Sequence, residues 1–584
     1  MLKLLRNFKI KEWFLILITF GLIYGQVWFE LKMPDYMQEI TVLVQTSGSE
    51  MSEILKNGGY MLICAFSSLF LTVLVGFIVA YLSSTFSYRT RRQIFEHTEK
   101  FSLEEIKKFK TSSLITRTTN DITQLEMFIG MGLQLLIKSP MTAVLAVVKI
   151  LNKNLTWSMV TLGAVLILLT TIGILTAIVV PKFKIVQKLT DNVNGLIREN
   201  LTGIRVVRAF NAEKYQEDKF KETNDKLTNQ QLFNQKAFAV MSPVMYMVMY
   251  TLTLLIYFIG ASLIKDAALT DKLTIFGDMV VFSSYAMQVI MSFLMLAFVF
   301  MILPRAEISA KRINEVLNTK ISITSGDVTK GISRGVVEFK KVSFMYPDAE
   351  EYILKDITFT ANKGETVAFI GSTGSGKSTL INLIPRFYDV TDGEILVDGV
   401  NVKDYKLEEL YNKIGYISQK AVLFDGTVKS NINFGKSNHK ITNDDVKEAI
   451  KLAEAEEFVL KMDDNYNEHI ASLGSNLSGG QKQRLSIARA LAKKAEIYIF
   501  DDSFSALDYK TDSKLRKNLK KNMKDSTILI VAQRIGTIMN ADKILVLDNG
   551  KCVGMGTHKE LLKNCEVYKE IAYSQLSKEE LENE

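Results

Sequence analysis

The sequence predicts an all-α membrane domain of six helices with long cytoplasmic helical extensions, followed by an α/β domain built on a phosphate-binding loop. Three observations carry this prediction. Apolar residues make up 48% of the 584 residues, yet they crowd into the first half of the chain. Six apolar runs there reach the ~20 residues a helix needs to cross a bilayer. Further on, the stretch GSTGSGKST at Gly371–Thr379 follows the apolar run TVAFI and precedes the helix-compatible LINLI. That strand, loop and helix order is the context a phosphate-binding loop requires. A chain of this length also exceeds what one hydrophobic core supports. The expected divisions are a membrane domain at 1–305, a linker at 306–335, an α/β domain at 336–575 and a tail at 576–584.

The first apolar run follows a basic start and continues through Val27 and Trp28 to Leu31. It lacks a small-x-small cleavage site, so it reads as an uncleaved first span. Five more spans are expected at Tyr60–Phe86, Leu133–Leu151, Trp157–Val180, Phe238–Ile264 and Phe276–Leu303. Basic residues flank one side only: Lys3, Arg6, Lys9 and Lys11 before span 1, Arg89, Arg91 and Arg92 after span 2, Lys182, Lys184 and Lys188 after span 4, and Arg305, Lys311 and Arg312 after span 6. The segments Pro34–Gly59, Asn152–Asn154 and Lys265–Lys272 are poor in them and are expected as the outward connections. By the positive-inside bias both termini are expected in the cytoplasm of a multi-pass protein of the cell membrane.

The net charge of +8 raises nucleic acid as a partner. Lys and Arg lie beside the apolar spans rather than in one patch, so membrane topology accounts for them and no nucleic-acid partner is expected. Cys64, Cys552 and Cys565 stand at no metal-ligand spacing and form no disulfide framework. Methionine is frequent around spans 5 and 6, at Met241, Met245, Met247, Met249, Met287, Met291, Met295 and Met301. Flexible, polarizable side chains suit a surface that accepts varied apolar ligands, and they equally suit ordinary helix packing or lipid contact.

After Pro304 the pattern turns mixed, and Thr319–Gly335 is rich in Ser, Thr and Gly, as a linker is. In the loop, Gly371, Ser372, Thr373, Gly374, Ser375 and Gly376 let backbone amides curl around phosphate oxygens. Lys377 reaches the terminal phosphates, Ser378 supplies a magnesium ligand, and Thr379 closes the motif. The apolar strand Ile497–Phe500 ends on Asp501 and Asp502, which holds the Asp501 carboxylate near the loop, where it can bind magnesium through water.

Leu477–Gln481 reads LSGGQ and leads through a basic amphipathic helix to that strand and a tight turn at Asp508. This order resembles the signature motif, Walker B strand and D-loop of the ABC ATPases. The six-span plan with two long inner loops resembles the exporter-type ABC transmembrane domain, and SLITRTTNDITQLEMF and ENLTGIRVVRAFNAE look like its two intracellular loops. The resemblance implies ATP and Mg2+ as cofactors, an adenine-stacking role for Tyr346, and a magnesium-touching, coupling role for Gln419. It further implies that residues near Thr118–Asp121 and Asn211–Lys214 seat on the ATPase domains. It also implies that Ser478, Gly479, Gly480 and Gln481 close over nucleotide held by a second subunit, so a dimer is required.

Two positions depart from the family. Asp502 stands where glutamate is usual, drawing the carboxylate back by about 1 Å, a misplacement that can cost about a hundredfold. Gln533 stands where the family has a histidine, and it cannot become cationic. That pairing is similar to the degenerate-site subunit of bacterial heterodimeric multidrug exporters. The implied partners are a second half-transporter, membrane lipid and a small lipophilic substrate. Alternatives are a homodimeric exporter of lipid or peptide, and an ATP-gated membrane regulator that transports nothing.

Overall fold

The computed structural model describes residues 8–46, 48–151, 155–435 and 437–576, without the side chains at 180, 184, 269, 270, 300 and 301. Lys3, Arg6, the expected outward connection 152–154, the tail beyond 576, and the side chains of Lys184 and Met301 therefore lie outside the described residues. The chain divides into two compact units: 1–99 with 110–319, and 100–109 with 320–584.

The first unit is all helical: α1 (Ile10–Gln45), α2 (Met51–Thr98), and, past the segment given to the second unit, α4 (Thr111–Thr118) and α5 (Asn120–Met127). A π-helical turn at Phe128–Gly132 joins α5 to α6 (Leu133–Leu151). Then come α7 (Leu155–Thr202), α8 (Ile204–Ala209), α9 (Glu213–Asp266) and α10 (Leu269–Leu317). Among the described residues, six helices are long and apolar enough to cross a membrane. Their outer faces are apolar as well: Phe66, Phe70 and Phe77 are 67%, 64% and 72% exposed, which suits lipid rather than water. The core gathers Ile23, Val27, Val75, Trp157, Phe282 and Val289.

Several expectations shift here. The segment Pro34–Gly59, expected as an outward connection, is mostly helix, because α1 runs through Pro34 to Gln45. Neighbouring helices satisfy the backbone that a membrane-embedded proline frees. Helix α10 likewise runs past residue 305 to Leu317. Two ion pairs join α1 to α6, Glu30 to Lys138 at 2.9 Å and Asp35 to Lys149 at 2.6 Å. Thr118–Asp121 is no loop tip, because Asp121 is buried and accepts from Ser309 Oγ at 2.9 Å, beside Arg312 at 3.4 Å. The tip of that first loop is instead the short helix α3 (Leu103–Phe109), which belongs to the second unit. Asn211 does lie at an exposed turn, with φ +50, and Lys214 is exposed.

The second unit has a four-stranded sheet in the order β2-β1-β4-β5, formed by β1 (Val337–Phe344), β2 (Leu354–Ala361), β4 (Asp392–Val397) and β5 (Val400–Asn401). A six-stranded sheet runs β12-β11-β3-β10-β9-β6. Its members are β3 (Thr366–Gly371), β6 (Ile414–Ile417), β9 (Ile497–Asp501), β10 (Thr527–Val531), β11 (Lys543–Asp548) and β12 (Lys551–Gly556). The pair β7 (Gly426–Thr427) and β8 (His469–Ile470) stands apart. Strands β6, β9, β10, β3 and β11 pair in parallel, and β9 and β10 are buried at every position. Parallel strands covered on both faces read as continuous apolar runs, as IYIF and TILIV do.

Candidate functional site

Parallel register builds the site. Val531 on β10 lies opposite both Asp501 on β9 and Phe369 on β3, so the carboxyl ends of the three strands come together. Ligands of open α/β sheets bind outside such ends. The chain leaves β3 through Gly371 and reaches α11 (Lys377–Leu383) by way of Gly376, which takes φ +94. A Cβ at Gly371 would lie 2.0 Å from the Leu547 carbonyl oxygen, so this position admits no side chain. Ser372, Thr373 and Gly374 form the exposed crest of the loop and Ser375 is buried beneath it.

Lys377 Nζ donates to the carbonyl oxygens of Gly371 at 2.9 Å and Ser372 at 2.7 Å. Burial pulls its pKa down, while the charges of Asp502 and Asp501 push it up. Ser378 Oγ donates to Asp501 Oδ1 at 2.7 Å. Burial raises the Asp501 carboxyl above its ordinary range, against the Ser378 hydrogen bond that favours its ionised form. A hydroxyl and a carboxylate side by side are hard oxygen donors that fit Mg2+, which is commonly held by one or two carboxylates together with nucleotide phosphates. Among the described residues no cluster of three or more His, Cys, Asp or Glu could hold a metal without such phosphates.

The two departures from the family pattern meet. Gln533 Nε2 donates to Asp502 Oδ2 at 2.8 Å, and Gln419 Nε2 donates to the same oxygen at 3.2 Å. Asp502 is buried and takes φ +47, a conformation uncommon outside glycine, asparagine and aspartate. Tyr346 is held by its hydroxyl, 3.0 Å from Thr379 Oγ1, and by the Tyr388 ring at 5.3 Å, nearly perpendicular.

The LSGGQ segment is organised separately. Ser478 caps α12 (Gly479–Ala492): its hydroxyl accepts from the Gln481 amide and the Gln481 side chain accepts from the Ser478 N–H. The freed amides of Gly479 and Gly480 sit at a helix N-terminus, which favours anions. Among the described residues, no hydrogen bond or ion pair links 478–481 to 371–379. Asp508 caps α13 (Tyr509–Asn522) through the Thr511 amide at 2.9 Å, and that bond lowers its pKa.

Two neighbours of the site were not expected. Lys107, on α3, places its ammonium 4.7 Å from the Tyr346 ring centre and 5.6 Å from that of Tyr388, a cation–π arrangement. It stands far from both rings in sequence, and no local pattern signals the pairing. Asn382, whose side chain accepts from the Tyr416 hydroxyl at 2.8 Å, is a second such neighbour.

Residues 354–505 match the family described as ABC transporter, and 13–293 match its transmembrane region. An uncharacterized ABC transporter ATP-binding protein of Mycobacterium tuberculosis is 37% identical over 522 residues, 88% of this chain and 87% of that one. One of Bacillus subtilis is 37% identical over 513 residues, 87% of each. A Staphylococcus aureus chain named, provisionally, a multidrug export ATP-binding/permease protein is 48% identical over 240 residues, 41% of each. In structure, a bacterial Atm1-family ABC exporter with ATP bound superposes with a TM-score of 0.81 at 23% identity, over 95% of this chain and 98% of that one.

Proposed function

This chain belongs to the ABC transporters, as an exporter half in which one transmembrane domain is fused to one ATPase domain, and from that premise we propose that it is the degenerate-site subunit of a heterodimer. Family membership carries ATP binding and hydrolysis coupled to transport. The finer reading rests on one observation: the carboxylate that would handle the attacking water is a shortened one whose Oδ2 already accepts two amide donors, from Gln533 and Gln419.

In this reading the Gly371–Thr379 amides and Lys377 hold the phosphates, and Tyr346 carries the adenine. Ser378 and Asp501, with Gln419, hold Mg2+, which when bound neutralises phosphate charge. A general base must lie within about 2.6–3.2 Å of the proton it takes. Asp502 is drawn back from that position and engaged by amides, so the site retains ATP and turns it over slowly. Gln533 donates a hydrogen bond but brings no positive charge to developing phosphate charge. Ser478–Gln481 serve the partner's site, whose chain supplies glutamate and histidine at the two altered positions. Both termini lie in the cytoplasm, and the cargo is a drug-like or lipophilic compound, in keeping with the provisional multidrug-export name of the Staphylococcus aureus relative. Photolabelling the purified pair with 8-azido-ATP during turnover tests this. The label recovered on this chain should remain triphosphate while that on the partner becomes diphosphate; equal conversion on both would end the proposal.

A further inference from the structure

The first unit contains a cavity of about 700 Å³ between α7, α9 and α10. It lies where the apolar runs of all three helices give way to polar sequence, and each helix carries an internal proline close by, Pro181, Pro243 and Pro304. Its lining is apolar at Phe183, Phe238, Phe298 and Met241. The same lining brings Asn234 and Arg305. Asn234 is 5% exposed, and its Oδ1 has no hydrogen-bond donor among the described residues. A buried amide oxygen left without a donor keeps its desolvation penalty unrepaid, so the position asks for one. Arg305 stacks its guanidinium 5.4 Å from the Phe183 ring centre and meets no carboxylate among the described residues. Arginine so placed keeps its N–H fork for an anion.

We infer that this cavity binds an amphiphilic organic anion: an apolar body among the phenylalanines, an anionic group on Arg305, and an N–H or O–H donor on Asn234 Oδ1. The inference deepens the exporter reading, and rests on it only for the claim that such a molecule is cargo. The volume suits a ligand of drug size, since such pockets run from about 300 to 1,000 Å³. The position suits a molecule that is itself half polar, because the cavity straddles the change from apolar to polar sequence. An acylated amino acid has this chemistry, and so does an anionic lipid headgroup.

The test uses the full chain in nanodiscs, without nucleotide, and three fluorescent probes: N-(pyrenebutyryl)glycine, its glycinamide, which has no charge, and its sarcosine analogue, which has no amide N–H. The glycine probe should bind about tenfold more tightly than either of the others. R305Q should erase the preference over the glycinamide alone, and N234L the preference over the sarcosine alone, so each variant controls for the folding of the other. Equal affinity for the three probes in the wild type, or discrimination that survives both substitutions, would overturn the inference. So would loss of the binding when the chain is purified as a dimer, which would assign the cavity to a subunit interface. Competition by phosphatidylglycerol in the nanodisc would identify a lipid headgroup as the ligand, and its absence a free amphiphile. ATP-driven uptake of the probe is measured separately. Intact discrimination without uptake counts against the exporter reading alone, and uptake without discrimination counts against the site.

Discussion

Gln533 donates its side-chain amide to Asp502 at 2.8 Å, so the two residues that depart from the family pattern form one hydrogen-bonded unit. Along the chain they are separate departures; in the fold one hydrogen bond joins them. A histidine at this position would meet Asp502 as a titrating group able to carry positive charge, whereas glutamine is a neutral donor at every pH.

Repair therefore requires both positions. D502E restores the missing methylene but leaves the neutral amide, and Q533H restores a protonatable donor to a carboxylate still drawn back by about 1 Å. The double variant should raise phosphate release from this chain's own site by about a hundredfold, more than the two single gains multiplied, as coupled neighbours behave. Only the variants that include Q533H should lose activity as pH rises, with a midpoint at about pH 6 to 7.

The signature and the phosphate loop should respond unequally in the assembled pair. A Cβ at Gly480 would already lie 3.4 Å from the Ala506 carbonyl oxygen, so G480L both crowds α12 and covers amides offered to the partner's nucleotide. It should abolish hydrolysis by the pair. K377A, which removes the ammonium from this chain's own phosphate loop, should only reduce it. Steady-state phosphate release measures both, and complete loss from each would mean two equivalent sites.

Metal dependence should follow the Ser378–Asp501 contact. S378A removes an oxygen donor and the bond that orients the carboxylate. It should cut the gain in ATP affinity that Mg2+ provides by about 10- to 100-fold. Titrating a fluorescent ATP analogue with and without Mg2+ reads this, and affinity without metal should hardly change.

Stability of the second unit should depend on Lys413. Its ammonium donates to Asp398 Oδ2 at 2.7 Å and Glu496 Oε2 at 2.9 Å, and Asp398 is fully buried. K413M leaves that carboxylate without its cation and should cost about 3–5 kcal/mol, seen as a lower unfolding temperature. Burial alone would lower the Lys413 pKa, but the two carboxylates raise it overall. Burial alone would raise the Glu496 pKa, but Lys413 and Arg334 lower it overall. The lysine's contribution is complete below its ordinary 10.5 and fades as pH climbs through its raised value. The glutamate's contribution is complete above its ordinary 4.5 and fades as pH falls through its lowered value. Wild type should therefore keep this contribution from about pH 5 to 10, and the K413M loss should be constant across that window.

The sequence displayed the phosphate loop, the Asp501 strand and the six apolar runs because each is a local pattern with a fixed period or spacing. It also named Asp502 and Gln533 individually. Their contact was hidden because it depends on β9 and β10 being parallel neighbours with Asp501 opposite Val531. That register brings together residues from different segments of the chain. The tip of the first long loop is hidden from the sequence for a related reason. Thr118–Asp121 looks polar and exposed, yet Asp121 is buried on Ser309 and Arg312, while the unremarkable run Leu103–Phe109 carries Lys107 to the Tyr346 ring. Long-range partners of a charged residue decide whether it faces solvent, and its immediate neighbours in sequence do not reveal them.

The most direct test of a degenerate own site is ATP hydrolysis by this chain alone, purified as a stable homodimer in nanodiscs beside the D502E/Q533H variant. The account predicts ATP bound and retained by the wild type, with turnover about a hundredfold below the double variant. Brisk turnover by the wild-type homodimer, equal to that of the double variant, would contradict it.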